Sequence, residues 1–195
     1  MPPQVSAIVL AAGSSRRMGR SKQLLPLGPS PVIRHCLDSI VASGLRDIVV
    51  VLGADLDGMA GAISGMSVRT VVNADPRSDM AGSVRLGLRQ IDPASTGVLI
   101  CLADHPLVLS GTIKGLVNVH HSGPDSILIP LYHGRRGHPT LFPRKAIDDI
   151  FIAETLRDVI ASRADSVRTV DVDDEGVVLD LDTPEDYERI KGRFA

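Results

Sequence analysis

Short apolar runs alternate with segments of helical periodicity through the first part of the chain. Residues 5–10 are rich in β-branched side chains and apolar on both faces, which is typical of a strand buried within a parallel sheet. Runs of the same kind occupy residues 47–52, 68–72 and 97–102. Between these runs, apolar residues recur at spacings of three and four and predict helices over 31–43, 54–63, 80–89 and 110–120. This alternation predicts a doubly wound, mostly parallel α/β sheet.

The second half of the chain departs from this alternation. A strand at 126–132, a basic turn at 134–137 and an extended segment at 139–142 predict a small antiparallel addition to the sheet. The pattern then predicts helices at 145–150 and 153–162, a strand at 167–172, a turn at 173–176, a strand at 177–181 and a helix at 183–190. Ser110 is a candidate N-cap for the helix that begins there. No repeat or linker divides the sequence, so we expect a single domain over residues 1–195.

Composition and charge narrow the class of protein. The 195 residues are 44% hydrophobic and 23% charged, which is typical of a globular protein that buries a core. A formal net charge of −2 argues against a general binder of nucleic acid or anionic membranes, so we expect neither as a partner. Cys36 and Cys101 lie in apolar segments and predict packing thiols in a reducing compartment. We see no leader pattern and no apolar run of about 20 residues, and we expect a cytoplasmic protein that is monomeric or weakly self-associating.

The segment after the first strand carries the first candidate chemistry. Residues 11–15 are small, so no bulky side chain blocks a ligand from their amide groups, and successive amides of this kind can cradle an anion. Arg16, Arg17, Arg20 and Lys22 add positive charge beside them. The predicted ligand is therefore a polyphosphate.

Two common phosphate-binding motifs are absent from this segment. A Walker A loop requires Gly-x-x-x-x-Gly-Lys-Ser/Thr, whereas here Gly13 and Gly19 are six residues apart and an arginine follows. The dinucleotide motif Gly-x-Gly-x-x-Gly is also missing, and a solvated basic turn is the alternative interpretation. The loops that begin at Ala11, Asn73 and Ala103 each follow a predicted strand. In a parallel sheet they meet at the carboxyl edge, where we expect the site.

The string Leu10-Ala-Ala-Gly-Ser-Ser-Arg-Arg-Met-Gly-Arg-Ser-Lys-Gln-Leu-Leu resembles a known family signature. That signature, Leu-Ala-Ala/Gly-Gly-x-Ser-x-Arg-Met-Gly-x-x-Lys, belongs to the MobA-like nucleotidyltransferases, and the match is closer to their molybdenum cofactor cytidylyltransferase branch. The resemblance implies a Rossmann-like fold of the nucleotide-diphospho-sugar transferase type. It also implies that Arg17 and Lys22 act in catalysis by neutralising phosphate charge. The nucleotide-binding residues that it implies here are Leu10, Ala11, Ala12, Gly13, Ser14, Ser15, Arg17 and Lys22.

Two acidic motifs are similar to those of the same family. Asp104 lies in the string Leu-Ala-Asp-His-Pro directly after a predicted strand, and the resemblance implies a catalytic aspartate that binds Mg²⁺. The string Asp180-Leu-Asp-Thr-Pro-Glu-Asp implies Asp182 as a second carboxylate on the metal. One or two carboxylates suit Mg²⁺, which takes its other ligands from phosphates and water. The alternatives are a turn cap for Asp104 and a helix cap at Thr183.

Three other segments resemble binding segments of the family. Asn73, and Gly82 with Ser83, imply contacts to the nucleotide, with simple helix capping as the alternative. A third string, Gly-His-Pro-Thr-Leu-Phe, implies an acceptor side formed by Gly137, His138 and Pro139. Residues 151–160 depart from the Gly-Asp-x-Gly-Ala-Arg segment of the cytidylyl branch, so the difference falls on the acceptor side.

The resemblance implies transfer of CMP from CTP to a phosphate monoester, with Mg²⁺ as cofactor and pyrophosphate as the second product. It favours a molybdopterin-type acceptor, and a molybdoenzyme or its chaperone as a protein partner. Ala12 stands where the guanylyl branch typically carries glycine, and its methyl group favours a pyrimidine over a purine. Three alternatives stay open: a sugar- or polyol-phosphate nucleotidyltransferase, a GTP-dependent guanylyltransferase, and a nucleotide-binding sensor or delivery module without turnover.

Overall fold

The computed structural model describes residues 4–13, 21–53, 58–75 and 77–194. Its strands are β1 (Val5–Ala11), β2 (Pro26–Leu27), β3 (Ser30–Pro31), β4 (Ile48–Leu52), β5 (Arg69–Val72), β6 (Gly97–Leu102), β7 (Ile127–Tyr132), β8 (Arg135–Arg136), β9 (Thr140–Pro143) and β10 (Val167–Asp171). Its α-helices are α1 (Val32–Ala42), α2 (Met59–Ala62), α3 (Met80–Leu88), α4 (Ser110–Ser122), α5 (Arg144–Ile147), α6 (Leu156–Ser162) and α7 (Pro184–Lys191). Short 3₁₀ turns cover Lys22–Leu24, Asp148–Phe151, Ala164–Ser166 and Glu175–Val178.

One mostly parallel sheet organises these elements. Its strand order is β10-β7-β9-β6-β1-β4-β5, with β8 paired to β7, while β2 and β3 form a separate two-stranded sheet. The central strand β1 pairs in parallel with both β4 and β6. This arrangement confirms the predicted doubly wound α/β architecture.

Helices cover both faces of the sheet, which explains why the central strands are apolar throughout. Successive side chains of a strand point to opposite faces, so Ile8 and Val9 of β1 enter different core clusters. Val9 shares its cluster with Ile33 of α1 and Ile113 of α4. Ile8 shares the other with Val84 of α3, together with residues of α5 and α6. Both sides of β1 are therefore sealed from water, and only its ends can meet a ligand.

The antiparallel segment of the second half lies inside the main sheet. The predicted antiparallel arrangement of 126–132 with 139–142 is confirmed, because β9 runs antiparallel to β7. Strand β9 lies between β7 and β6 and is antiparallel to β6 as well, while the basic turn predicted at 134–137 contains the short strand β8, which pairs with β7. Because Thr140 pairs with Ile100 near the end of β6, the residues that precede Thr140 lie at the carboxyl edge. Strand β9 thus delivers the segment 137–139 to the edge where we expected the site.

Several predicted boundaries are wrong. The helix predicted from residue 153 begins at Leu156, because Thr155 and Asp158 form a capping box there. The helix predicted at 145–150 is α5 followed by a 3₁₀ turn. Within the helix predicted at 54–63, the described part is α2, and residues 54–57 lie outside the described residues.

The strand predicted at 177–181 is also wrong, because the backbone there bonds to loops. Residues Glu175–Val178 form a 3₁₀ turn. The Val177 carbonyl accepts a hydrogen bond from His138 N at 2.8 Å, and Leu181 N donates to the Asp104 carbonyl at 3.0 Å. Gly176 crosses Leu107 so closely that a Cβ at residue 176 would lie 2.4 Å from the Leu107 carbonyl carbon. These contacts fasten the segment to the carboxyl edge of the sheet.

Asp174 anchors this segment and replaces Ser110 as the cap of α4. Its Oδ2 accepts hydrogen bonds from Leu109 N at 2.9 Å and Thr112 Oγ1 at 2.6 Å, and its Oδ1 accepts from Gly176 N at 2.9 Å. The prediction that Ser110 caps the helix is wrong, since Leu109 is the N-cap residue and no side chain of the cap itself makes the bond. The buried carboxylate of Asp174, 65 residues beyond the N-cap of α4, therefore accepts hydrogen bonds from donors in the first turn of that helix.

We expect Asp174→Ala to lower the free energy of unfolding by about 3 kcal/mol, because three donors around a buried site lose their acceptor. Urea denaturation measures this change. Asp173→Ala is the matched control, since Asp173 is exposed, and its effect should stay within about 0.5 kcal/mol. Equal losses in the two variants would contradict the anchoring role.

Candidate active site

The carboxyl edge of the sheet gathers the loops that follow β1, β5 and β6. Ala12 and Gly13 leave β1, Asn73 leaves β5 and Asp104 leaves β6. The backbone joins two of these exits, since Ala103 N donates to the Leu10 carbonyl at 3.1 Å. The expectation that these loops meet at one edge is confirmed.

Lys22 forms ion pairs with one aspartate at the carboxyl edge of the sheet and with another in the C-terminal segment before α7. Its Nζ lies 2.5 Å from Asp104 Oδ2 and 2.7 Å from Asp182 Oδ1. Only 11% of the Lys22 side chain is exposed, against 42% for Asp182. The structure therefore brings together one cation and two carboxylates that are 82 and 160 residues away from it in sequence.

Burial and the neighbouring charges shift the pKa of Lys22 in opposite directions. Burial lowers the pKa of Lys22, but the Coulombic and hydrogen-bond contributions of Asp104 and Asp182 outweigh burial, so the pKa is raised above its usual value. The ammonium is thus charged at neutral pH and neutralises one of the two carboxylates.

Two supports hold the three side chains together. The hydrogen bond from Leu181 N to the Asp104 carbonyl sets the two acidic segments side by side. A small apolar core then ties α7 to the residues that follow Lys22, and Tyr187 Oη donates to the Pro26 carbonyl at 2.6 Å. The buried members of this core are Leu25, Leu27, Val32, Leu181, Tyr187 and Ile190.

The two carboxylates fit a divalent metal that completes its shell elsewhere. Asp104 Oδ1 is buried and accepts no hydrogen bond from the described residues, so it keeps lone pairs for a cation. The described ranges contain no group of three or more His, Cys, Asp or Glu side chains that could hold a metal. Two carboxylates match Mg²⁺, which retains waters and takes phosphate oxygens as further ligands.

Two histidine rings lie beside Asp104. His105 Nε2 is 4.0 Å from Asp104 Oδ1, and the His105 ring packs edge-on against His138 at a centroid distance of 5.4 Å. Burial, and then His105, lower the pKa of His138 to about 4, so that imidazole is neutral at pH 7. Gly137 fits beneath Val177, where a Cβ would lie 2.3 Å from the Val177 carbonyl oxygen.

These rings and the two cysteine thiols line a small apolar cavity. The cavity has a volume of about 20 Å³ and is lined in part by Cys36, Cys101, His105, His138 and Pro139. Both cysteines are free and buried, which agrees with the predicted packing role. Burial raises the pKa of both thiols, so neither is a ready nucleophile.

The segment from Asn73 to Ser83 is organised by its own side chains. Asn73 Nδ2 donates to Ser78 Oγ at 2.7 Å and to Ser83 Oγ at 2.9 Å. Gly82 N donates to Asp79 Oδ1 at 2.7 Å, and Asp79 is the N-cap of α3. Helix capping, the alternative interpretation, is thus present in this segment, and a contact to the nucleotide stays a prediction.

The opening loop is described only at its two ends. The prediction that Ala11 lies in the exposed loop is wrong. Ala11 is the last residue of β1, pairs with Leu52 and is 4% exposed. Ala12 and Gly13 follow the strand, and Lys22 begins the next turn. The predictions for Ser14, Ser15 and Arg17 concern positions outside the described residues.

A doubly wound, mostly parallel α/β sheet of this kind is the Rossmann-like fold of the nucleotidyltransferases. More narrowly, the chain belongs to the MobA-like NTP transferase domain family, whose profile matches residues 7–168. The family that the opening string resembles is thereby confirmed.

Two relatives, one of them with two solved structures, are similar to this chain along nearly its whole length. Nicotine blue oxidoreductase from Paenarthrobacter nicotinovorans is 30% identical over 203 residues, which cover 96% of this chain and 97% of the relative. The crystal structure of Rv0371c from Mycobacterium tuberculosis H37Rv is 29% identical with a TM-score of 0.88, covering 98% of this chain and 99% of that chain. A complex of Rv0371c with manganese is also 29% identical, with a TM-score of 0.84 and coverage of 98% and 100%.

Asp174, Gly176 and His105 support the site but were not predicted to do so. The turn at 173–176 was recognised, but a turn pattern does not reveal which distant helix its aspartate caps. His105 has no metal-ligand spacing, and only the fold sets it against His138. Residues that act by supporting other residues leave little signal in a single sequence.

We expect His138 to make the stability of the protein depend on pH. The unfolded imidazole gains a proton near pH 6.5, whereas the folded one does so only near pH 4, so its stabilising contribution is present above pH 6.5 and is lost as the pH falls towards 4. Between pH 7 and pH 5 the wild type should lose about 2 kcal/mol more unfolding free energy than His138→Gln. Urea denaturation at both pH values tests this, and equal losses in the two proteins would contradict it.

Proposed function

We propose that the protein transfers CMP from CTP to a phosphate monoester, of the molybdopterin type, and releases pyrophosphate. The observation that carries this proposal is the Lys22 ammonium held between Asp104 and Asp182 at the carboxyl edge. A cation and two carboxylates at the exit of a phosphate-binding loop suit a triphosphate with its metal.

The reaction asks for positioning and charge neutralisation more than for covalent chemistry. An oxygen of the acceptor phosphate attacks the α-phosphorus, the bond from that phosphorus to the bridging oxygen breaks, and pyrophosphate leaves with the bonding electrons. Lys22, with Arg17 from the loop, would neutralise charge on the phosphates. No general base is required, because the acceptor phosphate is already an anion at neutral pH.

Asp104 and Asp182 would hold the metal, and we propose Mg²⁺. A divalent ion supplies charge neutralisation on the phosphates when it is bound. Manganese in the complex of the relative Rv0371c supports a divalent ion at such a site. The unused Oδ1 of Asp104 supports the same assignment within this chain.

The acceptor side would be formed by Gly137, His138 and Pro139, which β9 carries to the edge. His138 is neutral at pH 7 and borders the site, so we assign it a contact to the acceptor and no proton transfer. Residues 151–160 differ from the cytidylyl branch, and here they expose Ile152 to 90%. We therefore keep a sugar or polyol phosphate as the alternative acceptor.

The relative from Paenarthrobacter nicotinovorans favours a second candidate function. A protein named as an oxidoreductase matches nearly the whole chain, so the same nucleotide-binding edge could serve a nucleotide redox cofactor. Oxidation of NADH or NADPH with a dye acceptor tests this activity directly. Turnover of a nicotinamide cofactor without pyrophosphate release would replace the proposed transfer.

We expect Lys22→Ala to lower turnover by about 10²–10³, the scale of losing one preorganised electrostatic donor. Pyrophosphate release from CTP with Mg²⁺ and a panel of acceptor phosphates measures the rate. Lys114→Ala is the matched control, since Lys114 is an exposed lysine on α4. A Lys22→Ala protein with near wild-type turnover would remove Lys22 from the mechanism.

The base preference is tested by thermal shift with Mg²⁺ and CTP, GTP or UTP. We expect the largest rise in melting temperature with CTP, because a ligand stabilises the state that it binds according to its affinity. A larger shift with GTP would reverse the base assignment. CTP binding without pyrophosphate release for any acceptor would favour the sensor or delivery module.

A further inference from the structure

The Lys22 ammonium lies at the point from which a single cation can contact both acidic segments. It is 2.5 Å from an oxygen of Asp104 and 2.7 Å from an oxygen of Asp182. A divalent ion that bound both carboxylates would occupy the same region between them. Since the ammonium and the metal would be like charges in contact, they cannot share this position.

The surroundings of Lys22 favour the position of its ammonium between Asp104 and Asp182 in the absence of a metal. The side chain is largely buried, and its ammonium donates to one oxygen of each carboxylate. Hydrogen bonds between ionised groups are the strong ones in proteins. Removing the ammonium would take away the positive charge that Asp104 and Asp182 share.

We propose that Lys22 is an exchangeable counter-ion. In the free protein its ammonium occupies the metal position between Asp104 and Asp182, and it is displaced from that position when the metal binds together with a triphosphate. The exchange moves one ammonium from carboxylate oxygens to phosphate oxygens and puts one divalent ion in its place. The two carboxylates keep a net charge of −1 while Lys22 is their counter-ion and reach zero with the divalent ion, and no covalent bond is made or broken.

The exchange couples the two ligands of the site. A triphosphate that attracts Lys22 frees the carboxylates, so it raises the affinity for the metal. By thermodynamic linkage, the metal raises the affinity for the triphosphate by the same factor. Metal alone should therefore bind weakly to the wild type. This inference rests on the proposed function for the triphosphate, but the competition between Lys22 and the metal does not.

The experiment measures Mn²⁺ binding by isothermal titration in the absence of any nucleotide. We expect Lys22→Met to bind Mn²⁺ about tenfold to hundredfold more tightly than the wild type, the scale of one lost charge-assisted hydrogen bond. Lys22→Arg keeps the positive charge and should bind Mn²⁺ as weakly as the wild type. Adding Asp104→Asn to Lys22→Met should abolish the gain.

Lys114→Met controls for the loss of one positive charge at a distance, since Lys114 is exposed on α4. Its Mn²⁺ affinity should equal that of the wild type. Equal or weaker Mn²⁺ binding by Lys22→Met, or a matching gain in Lys114→Met, would overturn the proposal.

A second measurement uses the wild type alone and does not depend on the folding of a variant. Acylation of amines, followed by peptide mass spectrometry, reports how accessible Lys22 is relative to Lys114. We expect saturating Mg²⁺ to increase acylation of Lys22 severalfold and leave Lys114 unchanged. An unchanged rate at Lys22 would count against the exchange. Neither measurement contains nucleotide or acceptor, so failure of the proposed transfer reaction would leave both results standing.

Discussion

The ion pair between Lys22 and the carboxylates of Asp104 and Asp182 is the contact on which the candidate site depends. It joins the turn that begins at Lys22, the residues that follow β6 and the segment before α7. Two carboxylates this close repel each other unless a cation lies between them. The free protein meets that constraint with a lysine, and a metal meets it in the proposed complex.

The C-terminal part of the chain works as a clamp on this site. Asp174 fixes the start of the clamp to α4, and the Leu181 backbone fixes its end to Asp104. Tyr187 then holds α7 against the strand that follows Lys22. None of these bonds touches a proposed ligand. They matter because a carboxylate displaced by about 1 Å no longer shares a cation with its partner.

Family membership supports the proposed nucleotide substrate more strongly than it supports the proposed acceptor. The profile matches residues 7–168, and relatives that align along nearly the whole chain include one named as an oxidoreductase. One scaffold can host different reactions, because function depends on the site and not on the fold. The exposed Ile152 lies in the segment that departs from the cytidylyl pattern. We therefore expect members of this family to differ in the acceptor that they use.

Among the described residues, no helix is both long and apolar enough to cross a bilayer.

Sequence alone determined the alternation of strands and helices and the edge that carries the loops. Through the family's motifs it also predicted Lys22, Asp104 and Asp182 as site residues. Local patterns suffice for this, because side-chain periodicity and motif spacing are written in neighbouring residues. Tertiary structure decided that Lys22 lies between the two carboxylates, that β9 enters the sheet and that the predicted strand at 177–181 is a turn. Those outcomes depend on contacts between residues as many as 160 positions apart, and no local pattern encodes such pairings.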